Sequence, residues 1–278
     1  MEKIKILIPT DFSVQAEFAY LMVKNLGKSV PVNVHFLHVL QVPDTVTMDT
    51  SGKISTCGEI DLSYVEKQKE IAEQKLAHLR EQYGSEVSTH LVLGKITDGV
   101  VSFSENRDID LVVMGTKGAF GLKEKISGSA TQMVARKSLI PVLSLMCDRS
   151  DLIIKNILMV HDFTKPFDFD IQFIKKIIAQ DNEKFHLLHI QSTNDSIAKE
   201  VIIQNMKTFA LRNGIEQFEC HIIQDGDVES GVVHFNEMRE MDLVCIGTHG
   251  KPGLLHTSAT EKLINHLYKP VLSFRITQ

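Results

Sequence analysis

The chain has 278 residues, 43% of them hydrophobic and 23% charged, with a net charge of −5. This is a globular composition of about two ordinary domains, which excludes a disordered chain. No apolar run is long enough to cross a membrane, and nothing in the acid-leaning balance requires a basic face, so neither membrane nor nucleic acid is an expected partner.

The first residues, MEKIKILIPTDFS, lack the apolar stretch and cleavage site of a signal peptide, and cytoplasmic residence is expected. Residues 4–8 form a short β-branched run and read as a buried strand. A helix follows from Ser13 to about Leu26, with Ser13 offered as its cap, Glu17 in its first turns and Gly27 after its last apolar position. Residues 32–39 read as the second strand. Residues 40–61 are polar and rich in Thr and Ser, and are expected to form a long loop. A long amphipathic helix spans Leu62 to Tyr83 and stops at Gly84; its charged face reads as solvated. Then come a strand over 87–93, a helix over 96–105, a strand over 111–114, a helix over 129–137 and a strand over 141–145.

The second half repeats this order. Asp11 pairs with Asp162, and FLHV at 36–39 with LLHI at 187–190, both at an offset of 151 residues. DLVVMGTKG at 110–118 pairs with DLVCIGTHG at 242–250 at an offset of 132, and residues 128–145 pair with 257–274 at 129. The second copy is thus 19 residues shorter between Val39 and Gly94, and 3 shorter between Gly118 and Gly128. Strands alternating with helices imply βαβ crossovers. The expected fold is α/β: two doubly wound, mostly parallel-sheet, Rossmann-like domains in tandem, over 1–148 and 152–278.

The four cysteines are scattered without a CxxC, so neither a disulfide framework nor a zinc ribbon is expected, and Cys245 reads as a small buried hydrophobe. His186 and His189 are three apart on a strand and so lie on opposite faces, which gives no metal site. His249, His256 and His266 show no zinc spacing. No catalytic constellation is evident: Ser129 lacks the GxSxG elbow.

The strongest chemical signal is Gly115-Thr-Lys-Gly118, then nine residues, then Gly128-Ser129. Glycines beyond a strand let backbone N–H groups approach phosphate oxygens. A helix opening at Ser129 favours an anion. The hydroxyls of Ser129 and Thr131 offer hydrogen bonds and Lys117 a positive charge.

Together, PTDFS after the first strand, HV closing the second, and G-2x-G-9x-G-S before the last helix and a PVL strand resemble the universal stress protein family. The resemblance covers nearly the whole chain, twice. It implies an adenine-nucleotide α-hydrolase-like fold and a nucleotide-binding stress-response protein rather than a turnover enzyme. It also implies ATP, with or without Mg²⁺, in the first domain. The site it implies comprises Pro9, Thr10, Asp11, Val39, Met114, Gly115, Lys117, Gly118, Gly128, Ser129, Ala130 and Thr131. In it Asp11 lies near the nucleoside, the Val39 backbone meets the adenine, and Gly128, Ser129 and the turn after them cradle phosphates. A slow ATP-hydrolysing enzyme and a nucleotide-free scaffold are the competing readings. The second half departs from the pattern, with a shorter spacing and Thr257 in place of the last glycine, so no cofactor is expected there. The family also implies pairing through last strands, here between the two halves, and leaves a homodimer open.

Overall fold

The computed structural model describes residues 3–28, 30–116, 130–164, 171–178, 183–191, 197–248 and 259–276. The first repeat runs β1 (Ile4–Pro9), α1 (Val14–Leu26), β2 (Val32–Leu40), β3 (Val46–Met48), β4 (Ile54–Thr56), α2 (Leu62–Tyr83), β5 (Val87–Leu93), α3 (Ile96–Asn106), β6 (Leu111–Gly115), α4 (Ala130–Lys137) and β7 (Val142–Leu145). The second runs β8 (Asn156–Val160), α5 (Ile171–Ile178), β9 (Lys184–Gln191), α6 (Lys199–Arg212), β10 (Phe218–Gln224), α7 (Val228–Met238), β11 (Leu243–Thr248), α8 (Ala259–His266) and β12 (Val271–Arg275).

Ten strands form one sheet in the order β10-β9-β8-β11-β12-β7-β6-β1-β2-β5. In this sheet, among the described residues, every pairing inside a repeat is parallel. The central strands β1, β6, β7, β8, β11 and β12 are buried almost throughout, which is why they read as apolar runs rather than alternating ones. In β1, Ile4, Ile6 and Ile8 enter the core under α1 and α2, while Leu7 enters the core under α3 and α4. A carboxylate pins the start of the first strand in both copies. Asp110 accepts from the Lys5 N–H at 2.8 Å, and Asp242 accepts from those of Lys155 and Asn156 at 2.9 and 2.8 Å.

The two repeats join through β7 and β12, the sole antiparallel pair of the large sheet among the described residues, with Leu143 opposite Leu272. Ser144 Oγ donates to the Val271 carbonyl at 3.1 Å, and Ser273 Oγ returns the bond to Val142 at 3.2 Å. On the helix side, Gln132 of α4 donates to the Glu261 carbonyl of α8 at 2.5 Å. The halves therefore pair within one chain about an approximate twofold axis.

Two expectations change. Ser13 occupies the cap position of α1 but makes no side-chain cap bond; the turn before it is closed by Asp11 instead. Residues 40–61 are not simply a loop, because β3 and β4 pair as an antiparallel hairpin. Val46 and Ile54 of this hairpin bury against Val65 of α2 in a small core that includes Leu40 and Leu93. Lys69 of α2 holds its tip, donating to the Gly52 carbonyl at 2.9 Å. Leu40 and Leu93 close β2 and β5, so the hairpin stands over the carboxyl ends of those strands.

Candidate functional site

In an open parallel sheet the ligand crevice lies beyond the carboxyl ends of the strands, where the strand order reverses. Here that point is between β1 and β6, and it brings Pro9, Thr10 and Asp11 across from Met114 and Gly115. Thr10 is buried and continues the ladder, with its N–H donating to the Leu37 carbonyl at 2.8 Å. Its own carbonyl accepts from His38 Nδ1 at 2.7 Å, which fixes the imidazole at the end of β2.

The chain then turns sharply. Phe12 has φ of 64°, a left-handed conformation that is strained for a bulky residue. Three contacts hold it there. The Phe12 N–H donates to Thr10 Oγ1 at 2.9 Å, its ring meets that of His38 at 4.6 Å, and the Lys75 ammonium lies 5.1 Å from the ring centroid. Asp11 Oδ1 accepts from the Ser13 N–H at 3.0 Å, and the carboxylate is solvent-exposed. Asp11 is thus a turn-forming residue, and its carboxylate stands at the crevice mouth.

The second repeat keeps this strain but changes the partner. Phe163 has φ of 49°, and its N–H donates to His161 Nδ1 at 2.9 Å. Asp162 Oδ1 accepts from the Thr164 N–H at 3.1 Å. His161 therefore does the work of Thr10, with an imidazole in place of a small hydroxyl.

The Val39 side chain is buried under α3, whose Gly99 lies so close that a Cβ there would stand 3.1 Å from both Val39 methyls. Only the Val39 backbone remains to meet a ligand. Met114 is likewise buried.

Gly115 has a packing reason to be glycine: an added Cβ would lie 2.1 Å from the Gln15 carbonyl oxygen, because α1 crosses the end of β6 at that point. Thr116 turns toward the other repeat, its hydroxyl donating to the Ile264 carbonyl at 3.4 Å. Thr131 is buried and donates its Oγ1–H to the Gly115 carbonyl at 3.2 Å, so its donor serves the fold. Ala130 opens α4. Lys117, Gly118, Gly128 and Ser129 lie outside the described residues, as do Thr257 and Ser258 of the second repeat.

Sequence reasoning did not find Phe12, Gln15, His38 and Gly99. Three of them carried a signal, since Phe12, His38 and Gly99 recur in the second repeat as Phe163, His189 and Gly231.

The model of the universal stress protein family matches residues 4–145 and again residues 154–275. The chain belongs to the universal stress protein family. A universal stress protein of Methanocaldococcus jannaschii is 31% identical over 149 residues, covering 50% of this chain and 92% of the relative. A second from the same organism is 29% identical over 139 residues, covering 50% and 79%. The crystal structure of a universal stress protein from Archaeoglobus fulgidus superposes with a TM-score of 0.72 at 20% identity, over 99% of this chain and 97% of that one. It shows the same fold along the whole tandem. Among the described residues no helix is long and apolar enough to cross a membrane.

Proposed function

We propose that this universal stress protein is a cytoplasmic regulator that binds one ATP per chain, in the first repeat. The observation that carries this is the strained Thr10-Asp11-Phe12 turn opposite Gly115 at the strand-order reversal, joined in sequence to an intact G-2x-G-9x-G-S motif. Strain held by several independent contacts is characteristic of ligand sites. The exposed Asp11 carboxylate suits ribose hydroxyls, and the Val39 backbone suits a base edge. Among the described residues the one cluster of three metal-type ligand atoms lies elsewhere, so Mg²⁺ would enter on the nucleotide's phosphates rather than into a preformed cage. Two features argue against a second nucleotide: the shorter motif of the second repeat, and His161 in the place of Thr10.

Native mass spectrometry of freshly purified protein, followed by calorimetric titration with ATP, tests the reading. One nucleotide per chain is expected. Two tight sites would overturn the asymmetry, and none would overturn the site. Rapid release of ADP would favour an enzyme over a regulator.

A further inference from the structure

The outer edge of the second repeat carries a side-chain cluster that the nucleotide reading does not use. In the parallel pair β9 and β10, His186 stands opposite Glu219 and Leu188 opposite His221. The period of two puts His186, Glu219 and His221 on one face. His186 Nδ1 and His221 Nε2 are 3.0 Å apart, with the rings stacked at 5.2 Å. Glu219 Oε2 is 3.4 Å from His221 Nε2 and 3.8 Å from His186 Nδ1. Phe235 of α7 lies against the His221 ring at 4.9 Å and backs the cluster with apolar surface.

We propose that His186 Nδ1, His221 Nε2 and the Glu219 carboxylate bind one divalent transition-metal ion of the zinc type, with water completing the coordination. Two imidazoles and a carboxylate form a recognised open zinc set. Tetrahedral zinc with bonds of about 2.0–2.1 Å places its nitrogens about 3.3 Å apart, so the pair needs to open by only a few tenths of an ångström. One of the two facing nitrogens carries the proton of their 3.0 Å hydrogen bond, and that proton leaves when the ion binds both. Phe235 and the strand backbone restrict the rings. The Glu219 side is partly solvent-exposed and provides an entry path.

Two cations oppose the ion and also prepare its ligand. Lys184 donates to Glu219 Oε1, and Arg239 donates to Oε2 at 2.5 Å. They keep the carboxyl ionised and fix its position, while their charge weakens attraction for a cation. Their removal should therefore tighten binding, the reverse of what an ordinary structural ion pair implies.

The first repeat supplies an internal control. His35 and His90 form the same pair at 3.1 Å, and Ser88 stands opposite His35 where Glu219 stands opposite His186. It has two nitrogens and no carboxylate, so it should hold the ion far more weakly.

The test is calorimetric titration of the chelator-treated full chain with Zn²⁺. One ion per chain is expected. His221→Ala should weaken binding about a hundredfold, and the near-isosteric Glu219→Gln about tenfold or more. Arg239→Ala should tighten it, and His90→Ala should leave it unchanged. Circular dichroism checks that each variant is folded, and Glu219→Gln keeps the test alive if His221→Ala unfolds. No Zn²⁺ binding by the parent chain, equal affinity in the folded His221 and Glu219 variants, or loss of the ion in the His90 variant would each overturn the proposal.

Discussion

Thr131 Oγ1 donates to the Gly115 carbonyl at 3.2 Å, and the second repeat makes the same bond from Thr260 to Gly247 at 3.4 Å. The first turn of each final helix is thereby tied to the end of the strand before it. The bond survives in the repeat whose glycine motif has lost its spacing, so it belongs to the fold and needs no nucleotide. Gly115 separates into two roles in the same way: its backbone faces the crevice, and its missing Cβ admits α1.

Gly115→Ala should therefore destabilise the chain even without ligand. The new Cβ would stand 2.1 Å from the Gln15 carbonyl oxygen, and the atoms it meets are the Gln15 carbonyl and Cβ rather than the far end of a flexible side chain. The expected cost is about 1–3 kcal/mol, typical of overpacking. Urea unfolding of nucleotide-free protein measures it. A variant as stable as the parent would show that α1 yields and that the glycine is there for another reason.

Thr10→His copies into the first repeat the group that the second uses. The Phe12 N–H keeps an acceptor, as Phe163 does with His161 Nδ1. Stability should change little. The added ring narrows the crevice beside Asp11, and ATP affinity should fall at least tenfold. Calorimetry on parent and variant decides it, and unchanged affinity would remove His161 as the cause of the asymmetry.

The imidazole pair of the first repeat sets a pH dependence. Burial first, then the neighbouring His35 and Arg107, push the His90 pKa down to about 4, against an ordinary value near 6.5. Between those values the unfolded chain binds more protons than the folded one, so stability rises with pH through this window. The contribution is full above pH 6.5 and is lost as pH falls toward 4. The urea midpoint should drop between pH 7 and 4.5, and His90→Gln should flatten part of that drop. Identical pH profiles for parent and variant would contradict it.

The alternation of strand and helix was legible because parallel strands buried on both faces leave unbroken apolar runs, and the repeat shows each run twice. The β3–β4 hairpin was not. Its strands are three residues long, and only Val46, Met48 and Ile54 carry its core contacts, so no periodicity could mark it. At the site, Asp11 and Gly115 were legible from their place at strand ends. The recurrence of Phe12 and His38 as Phe163 and His189 was visible, but not their contact, which depends on the β1–β2 register that hydrogen-bonds Thr10 to Leu37. The His186–His221 pair is 35 residues apart and depends on the same kind of register. The sequence paired His186 with His189, which lies on the other face of β9, and on that spacing gave no metal site.

The joint between the repeats gives the last prediction. Ser144 and Ser273 are both buried, and each donates across the antiparallel β7–β12 pair to a carbonyl of the other repeat. Each alanine replacement removes one donor and leaves a small void, at a cost of about 1 kcal/mol. Symmetry makes the two losses similar. Both bonds span one short ladder, so the double variant loosens the same joint twice and should bring apart transitions that coincide in the parent. The measurement is thermal unfolding followed by calorimetry and by circular dichroism in parallel. The parent should give one coincident transition across the continuous sheet. A parent that already unfolds in two steps would show that ten strands in one sheet do not make one cooperative unit.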